Sequence, residues 1–240
     1  MKKITLSSEI NTDNYCEYVF NNYDIQDREK TVTEVPIPQR EELDELKDWN
    51  IFLVCGRSGG GKTTILNEMG GATPIVYDND RAVISQFQGL DEKEACNLLQ
   101  SVGLSSVPTW LRKPRELSNG EKARLDICKA LYEAMRTHSI AIIDEFTSTV
   151  NRSVAKSMSF ALQRYVRQMG LRVILSSCHY DIIDWLQPDY VFNLNHCDEN
   201  GDVEIERIVY SDSSEYNVQQ GVLECQTLSE AMELNYSQNI

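Results

Sequence analysis

The sequence lacks an apolar run of the roughly 18 residues that a membrane-spanning helix needs. Its start, Met1-Lys2-Lys3 followed by the polar run ITLSSEINT, also lacks the apolar centre of a secretory signal. Internal repeats and low-complexity segments are absent as well. We therefore predict a cytoplasmic protein, and 240 residues suffice for one domain with a full core and an attached subdomain.

Basic residues are scarce. There are 23 lysines and arginines against 37 aspartates and glutamates, which gives a net charge of −14. Because phosphate binding needs clustered cations, we do not expect this chain to coat nucleic acid by itself. One local cluster, Arg112-Lys113-Pro114-Arg115 beside Trp110, could contact a partner or nucleic acid, and it also fits a solvated loop. Direct nucleic-acid binding is left open.

None of the seven cysteines forms a CxxC pair. An odd number of cysteines in a cytoplasmic chain predicts reduced, mostly buried thiols instead of disulfides. The neighbouring pairs Cys178-His179 and His196-Cys197 lack the spacing of metal ligands, which argues against a zinc site.

Strand and helix patterns alternate along the chain. The apolar runs Asn50–Cys55, Ser139–Ile143 and Arg172–Ser176 are typical of buried parallel strands. Further strands are predicted at Ile4–Ser8, Tyr15–Tyr23, Thr31–Val35, Pro74–Tyr77, Ala82–Gln86 and Val203–Tyr210. Helices are predicted at Glu41–Asp48, Lys62–Met69, Glu92–Val102, Asn119–Arg136, Val154–Gln168 (ended by Gly170) and Thr227–Leu234. This alternation predicts an α/β fold with a mainly parallel sheet.

The segment GRSGGGKTT, Gly56–Thr64, fits the phosphate-loop pattern G-x-x-x-x-G-K-[ST]. Glycines let backbone N–H groups surround phosphates, Lys62 reaches the β- and γ-oxygens, and the Thr63 hydroxyl ligates magnesium. An apolar strand precedes the loop, and the helix after it favours an anion at its start. We expect ATP to be held by Gly56, Ser58, Gly59, Gly60, Gly61, Lys62, Thr63 and Thr64.

A second motif is the apolar strand Ile140–Ile143 followed by Asp144-Glu145, the Walker-B form. The strand end would deliver Asp144 to the magnesium, and Glu145 would act as general base toward the attacking water. Two solvated acids at a strand end are the alternative. The phosphate loop in the same chain favours the catalytic interpretation.

The segment LSNGE, Leu117–Glu121, precedes a long predicted helix. A helix start offers free N–H groups and a dipole suited to a phosphate. Taken alone, the segment fits a simple N-cap better, with Ser118 or Asn119 as the capping residue and Glu121 in the first turn.

The order of these motifs resembles that of the ATP-binding cassette (ABC) ATPase family, over Asn50 to about Asn195. The resemblance implies that Leu117–Glu121 is the family's signature, that Gln86 senses magnesium and water, and that His179 contacts the γ-phosphate. It implies ATP and magnesium as cofactors and an ATP sandwich between two protomers of a homodimer. In that sandwich Ser118, Asn119 and Gly120 bind ATP from the second protomer. The catalytic residues would be Glu145, His179 and Gln86, and the magnesium ligands Thr63, Gln86 and Asp144.

The resemblance also implies an organisation. Residues 1–210 would form the ABC ATPase domain of P-loop NTPase type, with an antiparallel β-rich part at 1–50 and a short helical subdomain at 87–116. Residues 211–240 would form an acidic tail. Asn151 replaces the usual D-loop aspartate, so signalling across the dimer could differ. The aromatic that stacks on the nucleotide is Phe20 or Tyr23, and both also fit core positions.

The segments GLSSVPTWLRKPRELSNGEKAR, IDEFTSTVNRSVAK and SSCHYDIIDWLQPDYVF look like a non-transporter branch, which is often fused to a GNAT-like acetyltransferase domain. The resemblance implies a stand-alone, phage- or mobile-element-encoded ATPase that serves nucleic-acid-directed modification or defence. The alternatives are the ATPase subunit of a membrane transporter and a non-hydrolysing dimer switch. The short stretch between Gln86 and Ser118 disfavours the transporter. A coiled-coil arm is excluded because no long heptad segment fits between Lys62 and Ser118. We expect a soluble protein partner, such as a DNA-modification enzyme, at Gly103–Arg115.

Overall fold

Two long antiparallel strands joined by a helix open the chain in this computed structural model, which describes residues 2–10, 12–23, 25, 30–38, 40–196, 202–210 and 216–218. Strand β1 (Lys2–Glu9) pairs with β2 (Lys30–Ile37) along its whole length. Helix α1 (Asn14–Asn22) lies between them in sequence, and α2 (Arg40–Glu45) follows. The antiparallel N-terminal sheet and the short helix near 41–48 are therefore confirmed.

The strand predicted at Tyr15–Tyr23 is wrong, because this stretch is α1. Its aromatic and β-branched content suggested a strand, but Asp13 stands at the N-cap and its carboxylate accepts the backbone N–H of Cys16 at 2.8 Å. The helix buries only Phe20 and leaves its other aromatic side chains exposed. The capping aspartate was the signal for a helix in the sequence.

The main sheet has six strands in the order β4-β5-β3-β6-β7-β8. Its four parallel members are β3 (Ile51–Cys55), β4 (Ala141–Ile143), β5 (Val173–Ser177) and β6 (Tyr190–Asn193). Strands β7 (Ile205–Tyr210) and β8 (Tyr216–Val218) extend it antiparallel. The mainly parallel α/β fold, with an N-terminal antiparallel part and a short helical stretch, is confirmed, and β3, β4, β5 and β7 lie where the sequence predicts them.

Four of the remaining helices match predicted ones closely, namely α3 (Lys62–Glu68), α4 (Glu92–Ser101), α6 (Asn119–Thr137) and α7 (Arg152–Gln168). Two further helices are α5 (Val107–Trp110) and α8 (Ile182–Leu186). Capping explains several boundaries, since Asp91 and Glu94 form a capping box at α4 and Gly170 takes a left-handed conformation, with φ 62°, just after α7. Helix α5 lies within the predicted loop Gly103–Pro114. Neither α8 nor β6 was predicted from the sequence.

Two predicted strands are absent from the described residues. Pro74–Tyr77 is irregular chain, and its apolar side chains Ile75 and Tyr77 pack on the core without joining the sheet. Ala82–Gln86 contains a 3₁₀ helix at Val83–Gln86, another of which lies at Pro114–Glu116. The apolar side chains of both stretches suggested strands. Irregular chain and a 3₁₀ helix can bury such side chains as well.

Alternate side chains of β3 enter two separate cores, one on each face of the sheet. Ile51, Leu53 and Cys55 pack with α4, α6 and α7, whereas Phe52 and Val54 pack with α3 and with β2. Burial on both faces explains the continuous apolar run of this strand, and it fixes the strand end that carries the phosphate loop.

Part of the predicted organisation lies outside the described residues. This holds for the helix at Thr227–Leu234 and for most of the tail at 211–240, of which only β8 is described. The division into parts at 1–50 and 87–116 stays a prediction. Across the described residues, no helix combines the length and apolar character that crossing a membrane requires.

Candidate active site

Three neighbouring parallel strands end at one edge of the sheet, and a candidate motif follows each of them. Gly56 comes directly after β3, Asp144 directly after β4, and His179 two residues after β5. Open α/β sheets bind ligands at the carboxyl ends of their strands. The fold thus brings three of the motifs, far apart in sequence, to one place.

Lys62 points back into the phosphate loop. Its ammonium group donates hydrogen bonds to the carbonyl oxygens of Gly56 at 2.8 Å and of Arg57 at 2.9 Å. The side chain is only 9% exposed. A buried cation held at the loop by two neutral carbonyls can attract an anion, because no carboxylate among the described residues forms an ion pair with it.

The glycines of the loop meet two different requirements. Gly59 and Gly61 have φ values of 75° and 90°, which side chains disfavour. Gly56 and Gly61 are also crowded, since a Cβ on Gly56 would lie 2.9 Å from Leu194 and one on Gly61 would lie 2.6 Å from Val35. Val35 of β2 and Leu194, which follows β6, therefore pack against the phosphate loop.

The Thr63 hydroxyl donates to Oδ2 of Asp144 at 2.7 Å. This contact joins the first turn of α3 to the end of β4. The Ser176 hydroxyl of β5 donates to the other carboxylate oxygen, Oδ1. A hydroxyl and a carboxylate in contact are hard oxygen donors of the kind that magnesium prefers. Thr63 and Asp144 thus fit the predicted cation, although no group of three His, Cys, Asp or Glu residues suited to a metal occurs among the described residues.

Glu145 adopts a left-handed backbone conformation with φ 52°. Its N–H donates to Asp144 Oδ1 and to the Ser176 hydroxyl, both at 2.9 Å. Its side chain is exposed, and Oε2 accepts a weak hydrogen bond from the Ser148 hydroxyl at 3.3 Å. The backbone is thus fixed in a strained conformation while the carboxylate stays open to solvent, as a general base requires.

His179 lies beside Thr147, with 3.3 Å between its Nδ1 and the threonine hydroxyl. Its backbone N–H donates to the Ser177 hydroxyl at 3.1 Å. Thr147 is buried and has φ 72°. Thr147 and Ser176 were not predicted as site residues. The only signals for them in the sequence were their positions, since Thr147 follows Asp144-Glu145 closely and Ser176 lies inside β5.

The side chain of Gln86 is hydrogen-bonded to the backbone of the chain just before it. Its amide nitrogen donates to the carbonyls of Asp78 at 2.8 Å and of Arg81 at 3.2 Å, and its amide oxygen accepts the N–H of Asp78 at 3.0 Å. Magnesium ligation by Gln86 stays a prediction.

Ser118 is the N-cap of α6, and it forms a capping box with Glu121. The N–H and the hydroxyl of Ser118 both donate to the Glu121 carboxylate, at 2.9 and 2.8 Å, and these bonds lower the pKa of that carboxyl. The predicted helix N-cap at Ser118 is therefore confirmed. A Cβ on Gly120 would lie 3.4 Å from the carbonyl oxygen of Thr149, so the predicted signature packs against the chain just before α7.

Asn151, which replaces the usual D-loop aspartate, is the N-cap of α7 and accepts the N–H of Val154 at 2.9 Å. An amide oxygen caps a helix as well as a carboxylate does. The next residue, Arg152, forms an ion pair with Asp181, two residues after His179. Asn151 thus caps α7 in the way that an aspartate at this position could.

The predicted stacking aromatics differ in exposure. Phe20 is buried at 6% exposure and Tyr23 is 70% exposed, so only Tyr23 offers a free ring face. In the basic cluster, Trp110 is buried and donates its indole N–H to the carbonyl of Leu104 at 2.6 Å, while Lys113 pairs with Asp80 at 3.7 Å. Trp110 is therefore part of the core and not of a contact surface.

The cysteines with described surroundings, Cys16, Cys55, Cys96, Cys128 and Cys178, are free thiols. Only Cys55 and Cys128 are buried, so the prediction of mostly buried thiols is wrong for these five. Burial raises the pKa of Cys55 to about 12, which makes this thiol unreactive near neutral pH.

No protein-family model matches the chain. It is similar to the methionine import ATP-binding protein MetN of Clostridioides difficile, at 23% identity over 58% of this chain and 56% of that protein. MetN of Clostridium tetani is 22% identical over 67% of this chain and 62% of that protein. The lipoprotein-releasing system ATP-binding protein LolD 1 of Rhodopirellula baltica is 38% identical over 31% of this chain and 30% of that protein. The chain thus spans little more than half the length of the MetN relatives.

Among solved structures, the chain is similar to a dimeric ATP-binding cassette in a post-hydrolysis state bound to ADP and phosphate. The identity is 16%, the TM-score 0.47, and the match covers 66% of this chain and 85% of that one. A cassette of an ABC transporter in its ADP conformation matches at 15% identity and a TM-score of 0.45, over 75% and 84% of the two chains. The MetN relatives support the ABC ATPase family, and they do not bear on the acetyltransferase-linked branch.

Proposed function

We propose that this chain binds ATP with magnesium and hydrolyses it. The hydrogen bond between Thr63 and Asp144 is the observation that carries the proposal. It places the hydroxyl that follows the phosphate-loop lysine against the carboxylate that ends β4. A Gly-rich turn or a pair of solvated acids, each taken alone, gives no reason for these two residues to meet.

The residues divide the chemistry between them. Lys62 would bind the β- and γ-oxygens, because its ammonium is already held inside the loop by neutral carbonyls. Thr63 and Asp144 would hold magnesium, which neutralises developing charge on the transferred phosphoryl group. Glu145 would accept a proton from the attacking water, and His179, oriented through Thr147, would contact the γ-phosphate.

The proposal is tested by measuring phosphate release from ATP with and without magnesium. Asp144→Asn keeps the size of the side chain and removes the charge, so hydrolysis should fall by two orders of magnitude or more, as for other electrostatic groups at a reaction centre. Asp91→Asn, at the exposed start of α4, is the matched control and should keep full activity. Magnesium-independent hydrolysis, or an active Asp144→Asn protein, would refute the assignment.

We further propose that the working unit is a homodimer with two composite sites. The chain carries a helix start with the signature sequence at Ser118, and α6 is long enough, at 19 residues, for a full dipole. Within one protomer this start packs on the D-loop, so the D-loop and signature present a joint surface to a second copy. A dimeric relative with ADP and phosphate is in keeping with this arrangement.

The process that ATP drives has two candidates. The named relatives serve methionine import and lipoprotein release, which favours the ATPase subunit of a transporter. The sequence resemblance to the acetyltransferase-linked branch favours a soluble partner in nucleic-acid modification or defence. In both cases we propose docking at Gly103–Arg115, where Val107 and Leu111 are exposed apolar side chains next to basic residues.

A pull-down with Glu145→Gln protein and ATP separates the two candidates. Capture of an integral membrane protein would establish the transporter subunit, and capture of a nucleic-acid-modifying enzyme would establish the second role. The double variant Val107→Ser with Leu111→Ser should lose the captured protein and keep basal hydrolysis. A partner that still binds this variant would refute docking at Gly103–Arg115.

A further inference from the structure

Helix α6 carries polar side chains on the side that faces the chain before α4. Asp126, Lys129 and Tyr132 follow one another at intervals of three residues, so they lie on successive turns of the helix. Lys129 is only 5% exposed and Tyr132 8%. Buried polar groups on an otherwise apolar helix side need partners, and each of these three residues finds one in the same segment, Tyr77–Gln88, which we call the Gln86 segment.

Three contacts join α6 to the Gln86 segment. The hydroxyl of Tyr77 donates to the Asp126 carboxylate, and burial raises the pKa of Tyr77 far above its ordinary value. The ammonium group of Lys129 donates to the carbonyl of Gln86 at 3.4 Å. The hydroxyl of Tyr132 donates to the carbonyl of Gln88 at 2.6 Å. The helix thus contacts both ends of the segment and Gln86 itself.

Further contacts accompany these three hydrogen bonds, both on α6 and within the Gln86 segment. The ring of Tyr132 packs edge-on against Phe87 at 5.7 Å, and the ammonium of Lys129 lies 3.7 Å from Glu133 and 4.7 Å from the centre of the Tyr132 ring. Within the segment, the amide of Gln86 holds both backbone groups of Asp78. The Gln86 segment is therefore closed on itself and bound to α6.

We propose that Tyr77, Lys129 and Tyr132 are positioning residues that act through Gln86. The proposal deepens the ATPase function stated above and rests on it. Because Ser118 is the N-cap of α6, these residues connect Gln86, the predicted magnesium ligand of one protomer, to the segment that would bind the other protomer's ATP. The contacts from α6 set where the backbone of Gln86 lies, and so the position from which its amide oxygen would reach the cation.

The first test uses amide hydrogen exchange in the absence of nucleotide. Tyr132→Phe removes only the hydroxyl and keeps the ring that packs on Phe87. Exchange in peptides covering residues 83–90 should become about fivefold faster, the effect of one lost hydrogen bond. The control is Tyr165→Phe on α7, whose hydroxyl faces the sulfur of Met135 at 3.8 Å and not the Gln86 segment. Unchanged exchange at 83–90 in Tyr132→Phe would refute the connection.

The second test asks whether the connection acts through Gln86. We would measure the magnesium concentration that gives half-maximal ATP binding, which requires no turnover. Tyr132→Phe should raise it several-fold in the wild-type background and leave it unchanged in the Gln86→Ala background. Lys129→Met should behave in the same way, and Tyr165→Phe should have no effect in either background.

Each result has a defined meaning. An equal rise in both backgrounds would show that Tyr132 does not act through Gln86, and faster exchange with an unchanged magnesium requirement would reduce its role to local stability. Both would overturn the proposal. A wild-type protein without magnesium-dependent hydrolysis would refute the ATPase function instead, and the exchange test would still decide whether α6 holds the Gln86 segment.

Discussion

Gly61 lies directly against Val35. A Cβ built on Gly61 would be 2.6 and 2.7 Å from the two methyl carbons of Val35, which is closer than non-bonded carbon atoms approach each other in proteins. Val35 is 1% exposed and β-branched, so its side chain has little freedom to move. The end of β2 therefore braces the phosphate loop, and the N-terminal antiparallel part contributes to the site through this contact.

Gly61→Ala should destabilise the protein more than Gly59→Ala. Both glycines have positive φ, which costs about 1–2 kcal/mol for alanine, but only position 61 adds an overpacking cost of about 1–3 kcal/mol. No atom lies within 4 Å of a Cβ on Gly59, so that variant is the matched control. Thermal unfolding measures the difference. In a Val35→Ala background the difference should shrink, and a difference that persists would contradict the contact.

Lys62→Ala should abolish ATP hydrolysis and weaken ATP binding by about 10- to 100-fold, the range expected for a lost charge-assisted contact. Titration with a fluorescent ATP analogue measures binding. Lys93→Ala, an exposed lysine on α4, is the control and should bind normally. Because Lys62 also donates to Gly56 and Arg57, unfolding curves must show that the variant is folded. Hydrolysis by a folded Lys62→Ala protein would rule out the phosphate-loop assignment.

Glu145→Gln should bind ATP normally and fail to hydrolyse it, because an amide cannot accept the proton of the attacking water. ATP and magnesium should then hold the protein as a dimer, which size-exclusion chromatography with light scattering detects. Glu92→Gln, at the exposed start of α4, controls for the loss of one negative charge. A monomer at saturating ATP and magnesium would argue against the two-protomer site.

Ser118 should act on the ATP of the other protomer. Lys62→Ala and Ser118→Arg proteins are each expected to be inactive. In a mixed dimer one composite site carries both lesions and the other carries none, so mixing should restore part of the hydrolysis. Phosphate release from an equimolar mixture, with heterodimers verified by native mass spectrometry, measures this. Heterodimers without any recovered activity would contradict the arrangement, provided that one intact site can turn over alone.

Acid should weaken the start of α6 through Glu121. The hydrogen bonds from Ser118 lower the pKa of Glu121 below its ordinary 4.5, so ionised Glu121 stabilises the folded state. This contribution is complete above pH 4.5 and is lost as the pH falls through the lower, folded-state pKa. The melting temperature of wild type should therefore fall more between pH 6 and about pH 3 than that of Glu121→Gln. Parallel pH profiles would show that this carboxylate makes no such contribution.

The parallel core could be predicted from the sequence because its strands are buried on both faces. Continuous apolar runs at Asn50–Cys55 and Arg172–Ser176 leave no alternation that a solvent-facing strand would show. The same feature misled at Pro74–Tyr77, where Ile75 and Tyr77 bury their side chains from irregular chain. Burial dictates where side chains go, and it does not dictate backbone pairing.

The parts of the candidate site that consist of consecutive residues could be predicted from the sequence. The phosphate loop and Asp144-Glu145 each occupy a few consecutive residues, so their chemistry can be read directly. Ser176 and Thr147 were missed because their contacts with Asp144 and His179 exist only after the strands pair. The orientation of Gln86 toward Asp78 depends on hydrogen bonds in an irregular loop, for which the sequence carries no periodic signal.

The backbone conformation of Glu145 has a consequence for the balance between stability and activity. Left-handed φ values cost a glutamate about 1–2 kcal/mol that glycine would not incur. Stability alone would therefore favour glycine at this position, where the turn is secured by Asp144 and Ser176 whatever the side chain. The fold tolerates this cost at a position where an exposed carboxylate is of use, so a screen for thermostable variants would be expected to select glycine there and thereby remove the proposed base.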